Sequence, residues 1–344
     1  MAAKFPTQIV PTDLPPELVS AVSRATEILL AGGVVALPTE TVYGLAANAF
    51  NDQAVAAIFA IKERPSFDPL IVHIHHREHL NEVAQVPAES AVVIEKLARE
   101  FWPGPLTLIL LKHPRISDLV TSGLPTVAVR VPAHPVMRRV LKACGFPLAA
   151  PSANRFGRIS PTTAQAVHTE LGGRIPLILD GGACAEGIES TILHVSVQPK
   201  TGHDLLEIVR AGPITREMLK PFGVVKKGTP ERQATAPGQL ASHYAPRTPV
   251  RLLGNGEVFS PEEGRRYGLL SLTGEPETLR LEDFAVVEVL SPGTGKLQEA
   301  AIRLFAMLRR LDEAGVDEII AEPVAEMGLG VAVMDRLRKA AGKG

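Results

Sequence analysis

At 344 residues, with 45% hydrophobic and 21% charged residues and a formal net charge of -1, the chain is long enough for two globular domains and carries no global basic excess. That balance excludes a uniformly basic nucleic-acid binder, so any RNA contact must rest on a local patch. Cys144 and Cys184 offer neither a zinc spacing nor a disulfide framework, the first ten residues lack a charged-then-apolar leader, and no run of about 18 apolar residues occurs; a cytoplasmic location is expected.

In chain order, the first predicted element is a helix ending at Gly32-Gly33, with Asp13 as N-cap, Pro15 and Pro16 in its first turn and apolar residues recurring from Leu18 to Leu30. Val34–Leu37 reads as a buried strand entering the turn Pro38-Thr39-Glu40-Thr41-Val42-Tyr43-Gly44. A helix from about Asp52 to Ile61 then delivers Lys62 and Arg64 at its C-terminal end, and Pro65 stops it. Strands are expected at Leu70–Ile74, Leu106–Leu111, Thr126–Val131, Ile175–Leu179, Thr191–Val195 and Leu205–Arg210, with helices at Ala88–Phe101, Pro135–Ala143 and Pro161–Leu171. This irregular alternation predicts a mixed α/β sheet rather than a strict parallel series. The stretch from Gly223 to Pro249 has little periodicity and several prolines and reads as a linker. A smaller α/β pattern follows: strands at Val250–Leu253, Tyr267–Ser271, Val286–Leu290 and Glu318–Ala321, and helices at Leu297–Ala314 and about Val331–Ala340.

Lys62 and Arg64, spaced i, i+2, combine with the small hydroxyl and amide side chains of the loop Pro151-Ser152-Ala153-Asn154 to supply what a polyphosphate needs: charge, directional donors and close backbone approach. The same two cations would also suit a solvated helix C-terminus. Arg130 is the sharper signal. It lies inside the apolar strand Val127-Ala128-Val129-Arg130-Val131, where a cation must find an anion, either a ligand carboxylate or an internal acid. His73 ends the run Leu70-Ile71-Val72 and reads equally well as a hydrogen-bonded core histidine. Ser160-Pro161-Thr162-Thr163 is an N-cap signature at Ser160 and also a helix N-terminus able to receive an anion. Two glycine motifs late in the chain read as plain turns: Gly254-Asn255-Gly256 lacks the third glycine of a dinucleotide fingerprint, and Pro292-Gly293-Thr294-Gly295-Lys296 lacks the flanking residues of a Walker A loop. No Ser-His-Asp order, H-E-x-x-H or cysteine-rich metal spacing is present.

Taken together, the strings Pro38-Thr39-Glu40-Thr41-Val42-Tyr43-Gly44-Leu45, Lys62-Glu63-Arg64-Pro65-Ser66-Phe67, Pro69-Leu70-Ile71-Val72-His73 and Trp102-Pro103-Gly104-Pro105-Leu106-Thr107 resemble the YrdC-like family of L-threonylcarbamoyladenylate synthases. So do Ala150-Pro151-Ser152-Ala153-Asn154-Arg155-Phe156-Gly157, Ser160-Pro161-Thr162 and Glu189-Ser190-Thr191, and the string from Pro237-Gly238 to Ser242-His243-Tyr244-Ala245-Pro246 matches the long two-domain form. Asp68 is a departure, since family members often carry Asn there.

The resemblance implies a twisted mixed sheet flanked by helices over residues 1–223, a linker and active-site lid over 224–249, and a smaller Rossmann-like α/β domain over 250–344. It also implies that L-threonine, bicarbonate or carbon dioxide, and ATP with Mg²⁺ are joined to give threonylcarbamoyl-AMP and pyrophosphate, for transfer by a partner enzyme to adenosine in tRNA. Lys62 and Arg64 would act in catalysis, with Lys62, Arg64, Asp68, Thr126, Ser152, Asn154, Ser160, Arg210 and Tyr244 on the nucleotide. Thr41, His73, Arg130, Ala150 and Ser190 would hold L-threonine, and His243 with Tyr244 would fold over the site. The metal-contacting groups stay open. A competing reading is a double-stranded RNA or tRNA binding module whose basic concavity is lined by Lys62, Arg64, Arg155 and Arg158. Another is a related ATP-using carbamoyl-transfer enzyme. Threonine-dependent pyrophosphate release separates the three.

Overall fold

The computed structural model describes residues 6–197, 202–229, 243–254, 256–276 and 278–342, and the chain divides into two units. The first takes in the chain as far as Phe156, then Pro161–Ala185, then the chain from Glu189 onward toward the linker; the second takes in Gly157–Ser160, Glu186–Ile188 and the C-terminal chain.

The first unit opens with β1 (Gln8–Pro11), α1 (Pro15–Leu30), β2 (Val35–Leu37), β3 (Gly44–Asn48), α2 (Asp52–Lys62) and β4 (Ile71–His73). Then come β5 (Ala84–Gln85), α3 (Ala91–Phe101), β6 (Leu106–Lys112), α4 (Asp118–Thr121), β7 (Thr126–Arg130), α5 (Pro135–Cys144) and β8 (Leu148–Ala149). It closes with α6 (Ala164–Leu171), β9 (Leu177–Asp180), β10 (Thr191–Val197), β11 (Asp204–Arg210), α7 (Arg216–Leu219) and β12 (Val224–Lys227). These strands form one mixed sheet in the order β1-β9-β2-β3-β8-β4-β7-β6-β10-β11-β12, with β5 paired to β6.

Side-chain alternation sorts the core into layers. Val35 and Leu37 of β2 and Leu177 and Leu179 of β9 pack with Ala21, Ala25 and Leu29 of α1 and with Val136, Met137 and Val140 of α5. The intervening Ala36 and Ile178 turn to the opposite core, where Ala54 and Ile58 of α2, Ile94 and Leu97 of α3 and Val167 of α6 lie. Farther along the sheet, Val72, Val129, Leu108 and Leu193 continue that second core. On the other face of those strands, Ile71, Ala128, Ile109, Ile192 and Val209 form a small cluster to which strands alone contribute. That helix-free face carries the polar residues described below.

Three local expectations are corrected. Asp13 does not cap α1: Leu14 holds the N-cap position, and no side chain bonds there. Pro15 and Pro16 have no N–H, so the first turn has little for a cap to accept. Ser160 does not cap α6; Thr163 does, its Oγ1 accepting from Ala166 N at 3.2 Å, because Pro161 and the turn after it delay the helix. Val224–Lys227, expected in the linker, is β12, paired in parallel with β11 through Leu205–Val224 to Ile208–Lys227. The remainder of that stretch from Pro230 to Ser242 lies outside the described residues.

The second unit carries a four-stranded parallel sheet of β13 (Val250–Leu252), β14 (Tyr267–Ser271), β15 (Val286–Val289) and β16 (Glu318–Ala321), in the order β13-β16-β14-β15. Helices α8 (Leu297–Glu313) and α9 (Gly330–Ala340) accompany it, and Leu253, Phe259, Tyr267, Leu269, Phe284 and Ile320 form a core cluster. The Pro292–Lys296 turn is filled by its own chain: Ser291 Oγ accepts from Lys296 N at 2.8 Å and donates to the Glu299 carboxylate at 2.7 Å, which leaves an anion at this helix start no welcome. Among the described residues, no helix is long and apolar enough to cross a membrane.

Candidate active site

Strand register assembles the first unit's polar face. His73 of β4 pairs with Arg130 of β7, and Thr107 of β6 lies opposite Arg130, one step before the Leu108–Val129 pair. Ile192 of β10 pairs with Thr107, and Arg210 of β11 pairs with Ile192. The row therefore reads His73, Arg130, Thr107, Ile192, Arg210, with the two arginine backbones three strand spacings, roughly 14 Å, apart.

Arg130 is 3% exposed and held from three sides. Its Nε donates to Gly104 O (3.1 Å), Nη1 to Thr41 Oγ1 (2.9 Å) and Nη2 to Glu40 Oε1 (2.6 Å). A guanidinium has five N–H donors, so these bonds leave one on each terminal nitrogen, a fork suited to a carboxylate. Gly104 is itself pinned just past the end of β7 by its N–H on Val131 O (2.8 Å). The second Glu40 oxygen accepts from Ala133 N (3.0 Å). Burial alone would raise the Glu40 carboxyl, but the Arg130 charge and these bonds bring it below the ordinary carboxylate value. Burial first, and the Arg130 charge second, push the neighbouring His73 imidazole down to about 3, so it is neutral at working pH.

The turn that presents Thr41 is organised by Thr39, whose Oγ1 accepts from Thr41 N and Val42 N (both 3.2 Å) and meets Thr41 Oγ1 at 2.8 Å. Tyr43 then anchors the turn: its hydroxyl donates to Gly182 O (2.7 Å) and accepts from Gly181 N (3.2 Å). At the far end of the row, Ser190 Oγ lies 2.7 Å from Thr107 Oγ1, and Arg210 donates to Ser190 O (3.1 Å) and Ser190 Oγ (3.0 Å).

A second cationic group adjoins this face through the same turn. Ala153 N donates to Tyr43 O (2.8 Å), and Gly44 bridges Ser152 in antiparallel fashion. Lys62 is 1% exposed; its Nζ donates to Ser152 O and Asn154 O, each at 2.5 Å, leaving the third ammonium proton unassigned among the described residues. Burial and then Arg64 pull its pKa well below the ordinary lysine value, against the opposite pull of Asp68 and Glu170. Glu63 adopts the left-handed conformation at the end of α2 (φ 55°) and reverses the chain there. Arg64 accordingly turns inward to Asp68 O (3.1 Å), Pro69 O (2.9 Å) and the Asp68 carboxylate (2.8 Å).

Buried and bonded in this way, Lys62 and Arg64 are neither the ends of a solvated helix nor the lining of an open basic concavity. Arg155 and Arg158, the other cations of the RNA-binding reading, lie 3.8 Å from Glu170 and 3.2 Å from Asp312.

The first unit thus brings together Thr41, His73, Arg130, Ser190 and Arg210 on one face, and Lys62, Arg64, Asp68, Ser152 and Asn154 beside it. Ala150 is buried and donates its N–H to Ile71 O (3.0 Å), while Thr126 is half-buried at the start of β7, two steps from Ala128 on the same face. Ser160 and Tyr244 belong to the second unit. There the Tyr244 ring, at φ 62° and 1% exposed, packs on Phe305 (5.5 Å between centroids) and under the Arg336 guanidinium (5.3 Å). Sequence reading gave no role to Glu40, Thr107 or Tyr43. The available signal was an acid and a tyrosine within one short turn ahead of a predicted buried arginine.

The Sua5/YciO/YrdC family, described as "Telomere recombination", matches residues 27–212, and the domain described as "Threonylcarbamoyl-AMP synthase, C-terminal domain" matches residues 214–342. Threonylcarbamoyl-AMP synthase of Pyrococcus abyssi is 40% identical over 90% of this chain and 91% of its own length, and that of Bacillus subtilis is 40% identical over 93% of both. The crystal structure of P. abyssi Sua5 complexed with L-threonine superposes with a TM-score of 0.82 at 36% identity, covering 98% of each chain. The chain belongs to the threonylcarbamoyl-AMP synthase family, in its long form with the Sua5 C-terminal domain.

Proposed function

We propose that the first unit's polar face joins L-threonine, bicarbonate or carbon dioxide, and ATP into threonylcarbamoyl-AMP and pyrophosphate. The observation that carries the reading is the buried Arg130 fork: two N–H groups remain after three bonds fix the guanidinium, the donor set a threonine carboxylate takes. Threonine's neutral amine attacks carbon dioxide and loses a proton, giving a carbamate. A carbamate oxygen then attacks the α-phosphorus of ATP, and the bond to the bridging oxygen breaks to release pyrophosphate. The carbamate is a weak, unstable nucleophile, so the step needs proximity and charge neutralisation more than acid–base chemistry.

Lys62 and Arg64 are assigned to the phosphates, Ser152, Asn154 and Ser160 to cradling the nucleotide, and Thr126, Asp68, Arg210 and Tyr244 to further nucleotide contact. Thr41, His73, Ala150 and Ser190 complete the threonine site, with His73 acting as a neutral hydrogen-bonding group. No protein ligand is assigned to the Mg²⁺ that accompanies ATP. Among the described residues, no cluster of three or more His, Cys, Asp or Glu side chains is arranged to hold a metal, so phosphate oxygens and water would do so. The mixed anhydride product is for acyl transfer by a partner enzyme to adenosine in tRNA. We assign the chain to the cytoplasm, in keeping with the buried free thiols of Cys144 and Cys184.

The test is pyrophosphate release from ATP and bicarbonate with L-threonine, with serine and alanine as controls. Release that demands threonine and bicarbonate is the expected result. Release indifferent to the amino acid overturns the reading. Arg130→Ala is expected to abolish threonine binding in calorimetry while ATP still binds.

A further inference from the structure

We propose that Glu40 is the positioning residue of the threonine site: it fixes the Arg130 guanidinium through a buried ion pair and so sets the affinity for threonine without acting on ATP. This rests on the assignment of Arg130 to the threonine carboxylate.

Glu40 is 8% exposed, and both of its oxygens are committed, one to Arg130 Nη2 at 2.6 Å and the other to Ala133 N at 3.0 Å. Paired with the Arg130 guanidinium and held by Ala133 N, the carboxylate acts through geometry. It ties the guanidinium to the backbone just before α5, while Thr41, the next residue, holds the other terminal nitrogen and Gly104 O holds Nε. Three anchors from two separate chain segments, the Glu40-Thr41 turn and Gly104, fix both the plane of the guanidinium and its rotation within that plane. With the plane so fixed, the one N–H left on each terminal nitrogen is held in place to meet a carboxylate.

Glu40 also supplies the counter-charge that keeps Arg130 tolerable when no substrate is present. Because the guanidinium then carries one internal carboxylate and one from substrate, loss of Glu40 leaves the attractive charge in place but lets the fork rotate. The expected signature is therefore a loss of threonine affinity, not of turnover.

The experiment measures steady-state kinetics of the full-length Glu40→Gln and Glu40→Asp variants beside Arg130→Ala, with threonine and ATP varied in turn. Glutamine keeps the shape but sets an amide donor against Ala133 N–H or Arg130, and aspartate keeps the charge but not the reach. Both are expected to raise the threonine KM by about tenfold or more, with kcat and the ATP KM held within about threefold. A threonine KM within about twofold of the parent in both variants overturns the proposal, as does a wild-type threonine KM in Glu40→Asp, which would mean charge alone suffices. An equal rise in both KM values also overturns it, since that marks a general loss of structure. If Arg130→Ala itself keeps its threonine affinity, the site assignment fails before Glu40 is judged.

Discussion

Lys62 and Arg64 sit two positions apart but meet different partners, because the left-handed Glu63 turns the chain between them. Lys62 spends two protons on backbone carbonyls, whereas Arg64 is tied to a carboxylate that belongs to the protein itself. Asp68 thus competes with any phosphate for the Arg64 charge. Asp68→Asn is expected to lower the ATP KM by about threefold to tenfold, because the freed guanidinium turns its charge to the substrate. The same change should destabilise the substrate-free protein by about 2 kcal/mol, read from the denaturant midpoint, since a buried cation loses its counter-charge. A raised ATP KM at unchanged stability would contradict this account. His73 predicts a pH effect of defined sign. Its folded value of about 3 lies below the ordinary histidine value of 6.5, so the unfolded chain binds the proton first. Stability from the neutral, buried imidazole is complete above the unfolded value and is lost as pH falls below it toward the folded one. In His73→Gln, the decline in unfolding free energy between pH 6 and pH 4 is expected to be shallower than in the parent by up to about 1.4 kcal/mol per unit. Identical slopes in urea titrations at those pH values would remove His73 from the acid response.

At the scale of elements, the turn before β3 holds the site in shape, and it is braced from outside. Tyr43 hydrogen-bonds the loop after β9, where a side-chain carbon on Gly181 would fall 2.5 Å from His134 Cε1 and 2.7 Å from Pro38 Cγ. His134 caps α5 and Pro38 begins the turn, so Gly181 packs between the two. Gly181→Ala is expected to cost about 1–3 kcal/mol and to weaken threonine binding in parallel, read by thermal melting and calorimetry on the same preparation. Normal binding in a destabilised variant would separate the brace from the site. These local constraints also explain which elements were readable beforehand. β6, β7 and α5 were legible because their apolar periods are long, and Arg130 stood out as a cation in an otherwise apolar strand. β3 and β8 were missed: Gly44–Asn48 has no β-branched residue, and Leu148–Ala149 is two residues long, so neighbouring strands rather than local propensity make them strands. Glu40 and Thr107 were invisible as site residues because their partners lie 90 and 83 positions away in sequence. Only the register of the sheet brings them together.

For the whole molecule, what matters is that each unit has its own core. The first packs the α2/α3/α6 layer along one face of its sheet and the α1/α5 layer over the β2/β9 end of the other, and the second has a cluster around Leu253, Phe259 and Ile320. Every residue assigned to threonine, namely Thr41, His73, Arg130, Ala150 and Ser190, lies in the first unit, as do Glu40 and Gly104, which hold the arginine. A chain ending after β12, comprising residues 1–229, should therefore fold and bind threonine within about fivefold of the full-length affinity. Threonine at about a hundred times its dissociation constant should stabilise both proteins by a similar ~2.7 kcal/mol in thermal or chemical melts. Loss of cooperative melting in the shortened chain would mean that the first unit's core depends on the second. A folded but threonine-blind chain would carry a sharper message. Arg130 would keep its three internal bonds, so the missing affinity would have to come from groups that the second unit alone supplies. Retained binding would instead assign threonine recognition to the sheet face and the turn, and leave the second unit to act on a later step of the reaction.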